Sequence, residues 1–161
     1  MIGTPLTYLP KILREGLIKG EVPITHRVED CENAVWLTTM SSPEGHGLSE
    51  ARPLTETERT LFGAPPGSRF PNKRAVRITV KLLHKEVRHW PAYGKKRLDP
   101  KWYAMLERGG GGRKHAKSWY LHFGSIGPEQ FTDVEIRRAD GRWESVCAGS
   151  DCNAALAQHC F

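Results

Sequence analysis

The sequence has no apolar run near the roughly 20 residues that a membrane-crossing helix needs, so no spanning segment is expected. Its opening stretch, Met1-Ile2-Gly3-Thr4-Pro5, lacks the charged start and long apolar core of a secretory leader. A cytoplasmic location is therefore expected. Cysteine is scarce: Cys31, Cys147, Cys152 and Cys160. Without a leader these are expected as reduced thiols, not disulfides. The cluster Cys147-x4-Cys152-x6-His159-Cys160 lacks the tight Cys-x2-Cys pairs of zinc modules, so no metal is expected. No Ser-His-Asp set, His-Glu-x-x-His motif, dinucleotide fingerprint or internal repeat is visible. The glycine run 109–112 has no strand before it and no Lys-Ser/Thr pair opening a helix after it. It reads as a flexible loop, not a phosphate cradle.

What is present fits one α+β domain spanning 1–161. Its 161 residues, 39% apolar and 26% charged, can bury a core without disulfides or metals. Lys and Arg number 24 against 18 Asp and Glu, a net charge of +6. The excess is uneven. Lys85, Arg88, Lys95, Lys96, Arg97 and Lys101 crowd one stretch, and Arg108, Arg113, Lys114 and Lys117 follow. Such a stretch is either a solvated face or a rim that meets phosphates.

Local signals give the elements. Thr7 is placed as an N-cap and Pro10 in the first turn of a helix over Thr7–Gly16. Leu9, Ile12, Leu13 and Leu17 form its buried stripe, and Gly16 ends it. Ala34–Thr39 is a buried strand and Ser41–Leu48 a loop. Residues 50–73 are polar and rich in Pro and Gly, a long loop or lid with one helical turn at Glu56–Leu61. Ala75–Leu82 alternates apolar and polar residues as a strand. Asp99-Pro100 opens a helix with Trp102, Tyr103, Met105 and Leu106 on its apolar side. Lys117–Phe123 is a strand with Trp119, Leu121 and Phe123 on one face. Phe131–Arg138 is another, and Asp140-Gly141 turns it into Arg142–Cys147. A last helix over 148–161 is expected, with Asp151 as a cap.

The order Pro5-Leu6-Thr7-Tyr8-Leu9-Pro10-Lys11-Ile12-Leu13-Arg14-Glu15-Gly16-Leu17-Ile18, then Ala34-Val35-Trp36-Leu37-Thr38-Thr39, resembles the start of ADP-ribosyltransferase-like proteins. DarT-type DNA-modifying toxins and RNA 2′-phosphotransferases are the most similar. Ala75–Leu82 resembles their central strand, and Ile126–Ile136 resembles their closing turn and strand. The resemblance implies two small, mainly antiparallel sheets around a cleft, with a few short helices. It also implies NAD as cofactor and a macromolecular target, protein or nucleic acid, and it fits a toxin-type or mobile-element protein. Two functional groups of the family have no match. The family's first-strand His falls near Ile2 or Gly3, although Thr4 matches the motif's Thr. The DarT-type catalytic Glu falls near Trp119.

Loss of nicotinamide from NAD leaves an oxocarbenium-like sugar cation, which a carboxylate stabilises. An aromatic ring can stack on nicotinamide, and Arg pairs with pyrophosphate. Glu129 and Arg77 are the catalytic candidates. Thr4, Tyr8, Trp36, Thr38, His46 and Trp119 are the cofactor candidates. The strands at Ala34–Thr39 and Lys117–Phe123 are the walls between which a cleft is sought. Trp36 and Trp119 read equally as core, Arg77 as a solvated strand residue, Glu129 as a turn residue and His46 as a surface loop residue. The other functional class is a catalytically silent basic binding protein or inhibitor. It would use the basic rim, with Trp90, Tyr93, Trp102 and Trp119 nearby for stacking on single strands.

Overall fold

In the computed structural model, residues 2–148 are described, except 19, 26 and 28. The chain is a mixed α/β fold of several small antiparallel sheets and a few short helices. One sheet has the order β1 (Ile2–Thr4), β5 (Val76–Val80), β8 (Phe131–Arg137), β9 (Trp143–Ala148). A second has the order β4 (Ala34–Thr38), β7 (Trp119–Phe123), β6 (Val87–His89). A short ribbon pairs β2 (Val22–Pro23) with β3 (Cys31–Glu32). The helices are α1 (Leu9–Glu15), α2 (Glu56–Phe62), α3 (Trp90–Arg97), α4 (Pro100–Gly109) and α5 (Arg113–Ala116). None of the described helices is long and apolar enough to cross a membrane.

The apolar run of β4 has a direct cause. Its sheet lies between two cores, so both faces of the strand are buried. Val35 and Leu37 face the first core, with Val76, Ile78, Phe131 and Val134 of the other sheet and Leu9 of α1. Ala34 and Trp36 face the second core, built on Trp90, Tyr103, Trp119 and Leu121 beneath α3–α5. Period-two alternation thus splits one strand between two cores.

Most expected elements form, with corrections. Thr7 is not the cap of α1; the chain enters through a 3-10 turn over Leu6–Tyr8, and no side chain caps the helix. Gly16 does end it, at φ 83°. A Cβ at Gly16 would sit 2.4 Å from the Ile126 carbonyl oxygen. That close approach lets Leu17 and Ile126 exchange two backbone hydrogen bonds, of 2.9 and 3.1 Å. Met105 is exposed, not on the buried side of α4. Phe123 is also partly exposed. The segment 50–73 contains α2, whose Thr55–Glu58 capping box satisfies two orphan amides at its start. Pro53 bridges Arg69, so this segment folds back on itself. The expected helix over 148–161, with Cys152, His159 and Cys160, lies outside the described residues.

Candidate functional site

β4 and β7 are direct antiparallel neighbours, with Val35 opposite His122 and Leu37 opposite Tyr120. No cleft can lie between them. A small cleft lies instead against β1 and β5. Ile2 and Gly3 of β1, Thr38 at the end of β4, Ser42, His46 and Leu48 of the following loop, Lys73, Arg74 and Arg77 at β5, and Trp143 of β9 line it. Its volume is about 20 Å³. That suits one or two ordered waters. A dinucleotide enters only if the loop over Ser41–Leu48 moves.

Arg77 anchors one wall. It stands directly opposite Glu135 across β5 and β8. Its guanidinium makes a two-pronged ion pair with Glu135, and the side chains are only 17% and 15% exposed. It also donates to the Ser41 carbonyl at 2.8 Å and lies 4.3 Å over the Trp143 ring. Arg74 donates to the Leu48 carbonyl at 2.9 Å and pairs with Glu50 at 2.6 Å. These contacts fasten the loop to β5. Among the described residues, none that lines the cleft is a carboxylate.

His46 anchors the other wall. The Trp119 indole N–H donates to His46 Nδ1 at 2.8 Å. An indole nitrogen can only donate, so Nδ1 carries no proton and the neutral ring holds its proton on Nε2. Nε2 is buried without a partner of full hydrogen-bond geometry, as is Nδ1 of His115. The two imidazoles meet edge to face, 5.6 Å apart. Burial pushes the His46 pKa down, and the neighbouring His115 adds to this; the Ser42 backbone and Glu44 act in the opposite sense. Glycines make the cluster possible: a Cβ at Gly110 would lie 2.1 Å from the Trp119 ring, and one at Gly45 2.3 Å from the His115 ring.

A lowered folded-state pKa means that the unfolded chain binds the extra proton more readily. The contribution of His46 is therefore complete above about pH 6.5, its ordinary value, and is lost as pH falls below that. Protonation would also set Nδ1–H against the indole N–H. Between about pH 7.5 and 5 the Trp119 indole proton should lose protection from solvent exchange, seen by NMR. In His46→Gln, whose amide oxygen can still accept from the indole, that pH step should vanish. A Trp119 signal equally protected at both pH values would overturn the assignment.

Among the expected site residues, the structure brings Thr38, His46 and Arg77 into one cleft and joins Trp119 to it through His46. Thr38 shares a 3.0 Å hydrogen bond with Ser118 and accepts from the Met40 N–H at 3.1 Å. The others lie elsewhere. Trp36 is a core residue: its ring packs 4.6 Å from Trp90 and 6.0 Å from Trp119, and its N–H donates to the Glu21 carbonyl. Trp119 is 6% exposed, so its ring face is not open for stacking. Thr4 is buried opposite Val76 at the end of β1, and Tyr8 is 57% exposed in the 3-10 turn. Glu129 sits in the 3-10 turn before β8, with its carboxylate against Gly127. It is at the other end of β8 from Glu135 and does not line the cleft with Arg77. The carboxylate beside Arg77 is Glu135. That residue, Lys73, Arg74 and Trp143 were not among the sequence candidates.

A Cβ at Gly3 would sit 2.6 Å from both the Lys73 carbonyl oxygen and the Leu48 side chain. The backbone approach leaves no space for a His at this position. No family model, no curated protein and no solved structure matches this chain.

Proposed function

We propose that this chain is an ADP-ribosyltransferase-like protein that binds NAD in the cleft beside β1 and β5 and modifies a macromolecular target. One observation carries the reading. The segment that resembles the family's nucleotide-holding first strand, Ile2–Thr4, pairs with the strand of Arg77 and contributes Ile2 and Gly3 to the cleft. The charged lining is cationic: Lys73, Arg74 and Arg77. Such donors suit a pyrophosphate. The aromatic residue in the described lining is Trp143, whose ring already carries the Arg77 guanidinium on one face.

The second reading, a catalytically silent basic binding protein or inhibitor, is favoured by the absence of a carboxylate among the described residues of that lining. An oxocarbenium-like transition state has no anion facing it there. Titration with NAD followed by ligand-observed NMR should show saturable binding, weakened at least tenfold in Arg74→Ala. Incubation with labelled NAD and cell lysate then separates the readings: label on a macromolecule supports transfer, and binding without label supports the silent protein. No binding at about 1 mM NAD would remove the cleft as a nucleotide site.

A further inference from the structure

Charge in this molecule is segregated by layer. Between residues 84 and 117 the chain carries ten Lys and Arg against three acids, Glu86, Asp99 and Glu107. That excess of seven exceeds the +6 of the whole chain, so the remainder is slightly acidic. The segment folds as one continuous layer: α3 packs on β6 and β7, α4 on α3, and α5 on α4. All ten cations are exposed.

Among the described residues, the three acids make no ion pairs with these cations. Glu86 accepts from the Leu83 N–H at 2.6 Å, Glu107 from the Tyr103 hydroxyl at 2.5 Å, and Asp99 caps α4 through the N–H groups of Lys101 and Trp102. Of the ten cations only Arg97 makes an ion pair among the described residues, with Glu32 at 2.9 Å. The layer therefore keeps a net excess of seven positive charges, and its three acids are held by hydrogen bonds and not in ion pairs with its cations.

The apolar content of this surface decides the partner. Protein interfaces depend on buried aromatic or aliphatic anchors. Here Met105 is the only large apolar side chain exposed between residues 84 and 117. Interfaces with nucleic acid are more polar and far more positively charged. The aromatics that alternate with these cations in sequence are turned inward: Trp90 is fully buried, Tyr103 is 8% exposed, and the Trp102 N–H is tied to the Pro23 carbonyl. Trp90 and Tyr103 offer no open ring face for stacking on single strands, and Trp102 and Tyr93 are half-buried. Recognition by this layer is recognition of the phosphate backbone.

We infer that the α3–α4–α5 layer, with the β6 edge, is a nucleic-acid docking surface that binds the phosphate backbone without reading bases. It stands independently of the NAD reading. It also has a defined relation to the cleft, because His115 of α5 packs on His46 and Gly45 at the cleft wall.

Without stacking, affinity follows charge density, so duplexes bind more tightly than single strands. The test uses fluorescence anisotropy with labelled duplex DNA, single-stranded DNA and RNA of equal length and unrelated sequences. The expected result is sequence-independent affinity whose logarithm falls linearly with that of the salt concentration, by about 0.9 per phosphate contacted on the duplex. Lys95→Ala/Lys96→Ala/Lys101→Ala should lower that slope by up to about 3 and weaken binding at least tenfold. Lys11→Ala on α1 should change neither. These substitutions sit on exposed side chains, so circular dichroism should show an unaltered fold. A flat salt response, undiminished binding by the triple variant, tighter binding of single strands than of duplex, or equal binding of an acidic polypeptide would each overturn the proposal.

Discussion

Trp90→Ala should cost about 3–5 kcal/mol, enough to lower the melting temperature by roughly 10 °C in a domain of this size. Trp90 is fully buried at the start of α3. Its ring lies 4.6 Å from Trp36 and 5.6 Å from Tyr103, almost parallel to the latter. It therefore joins the β4–β7–β6 sheet to the helical layer, and truncation opens a cavity at that junction. A second substitution isolates packing from polarity. The Trp90 indole N–H is buried without a hydrogen-bond partner. Trp90→Phe removes that uncompensated donor while keeping an aromatic ring in the gap. It should cost clearly less than alanine, since an orphaned buried donor is itself worth about 1–3 kcal/mol. Urea unfolding of the three proteins checks the order. Equal losses for Phe and Ala would mean that the missing indole volume dominates.

Trp90 also shows where the sequence is hard to read. β4, β5 and the β8–β9 hairpin are legible because local and tertiary preferences agree. Val76 and Ile78 alternate with Arg77 and Thr79, and Asp140-Gly141 supplies the turn. α3 is not legible. Its sequence, Trp-Pro-Ala-Tyr-Gly-Lys-Lys-Arg, offers no apolar stripe and contains a glycine. The helix forms because Trp90 anchors one end and Gly94 lets Tyr103 approach. A Cβ at Gly94 would lie 2.6 Å from that ring. Both reasons are contacts with other elements, which no local window holds. β6 is too short to show a period, and α5 follows a glycine run that looks like loop alone.

The site divides the same way. Arg77 is visible as a cation on the polar face of a strand, and His46 as a loop residue after a buried one. Their partners depend on register. Glu135 meets Arg77 only because β5 and β8 pair as they do, and Trp143 reaches it through the next strand. Glu129 has the right chemistry a few residues away in sequence, but a 3-10 turn sets it at the wrong end of β8. Sequence distance measures position along a strand; it does not say which residue stands across from it.

That register makes the Arg77–Glu135 pair the second large effect. Arg77→Ala leaves the Glu135 carboxylate mostly buried without its cation. The full cost of such a change in an interior is about 3–5 kcal/mol, and slight exposure here brings the expectation to about 2–3. Removing both partners should cost less than the sum of the single losses, with a coupling of about 1–3 kcal/mol. Arg77→Lys should not rescue the fold fully, because an ammonium can neither fork onto the carboxylate nor stack flat on Trp143. Glu135→Gln is the informative variant for the cleft. It keeps the shape and a hydrogen bond while removing the negative charge that occupies the guanidinium. If Arg77 is part of an anion site, this neutral partner should tighten pyrophosphate binding severalfold with little loss of stability. If the pair is purely structural, Glu135→Gln should lower stability and leave pyrophosphate affinity unchanged. Calorimetric titration with pyrophosphate, read beside urea unfolding, distinguishes the two. The ion pair then either competes with a ligand for Arg77 or serves only to join β5 to β8.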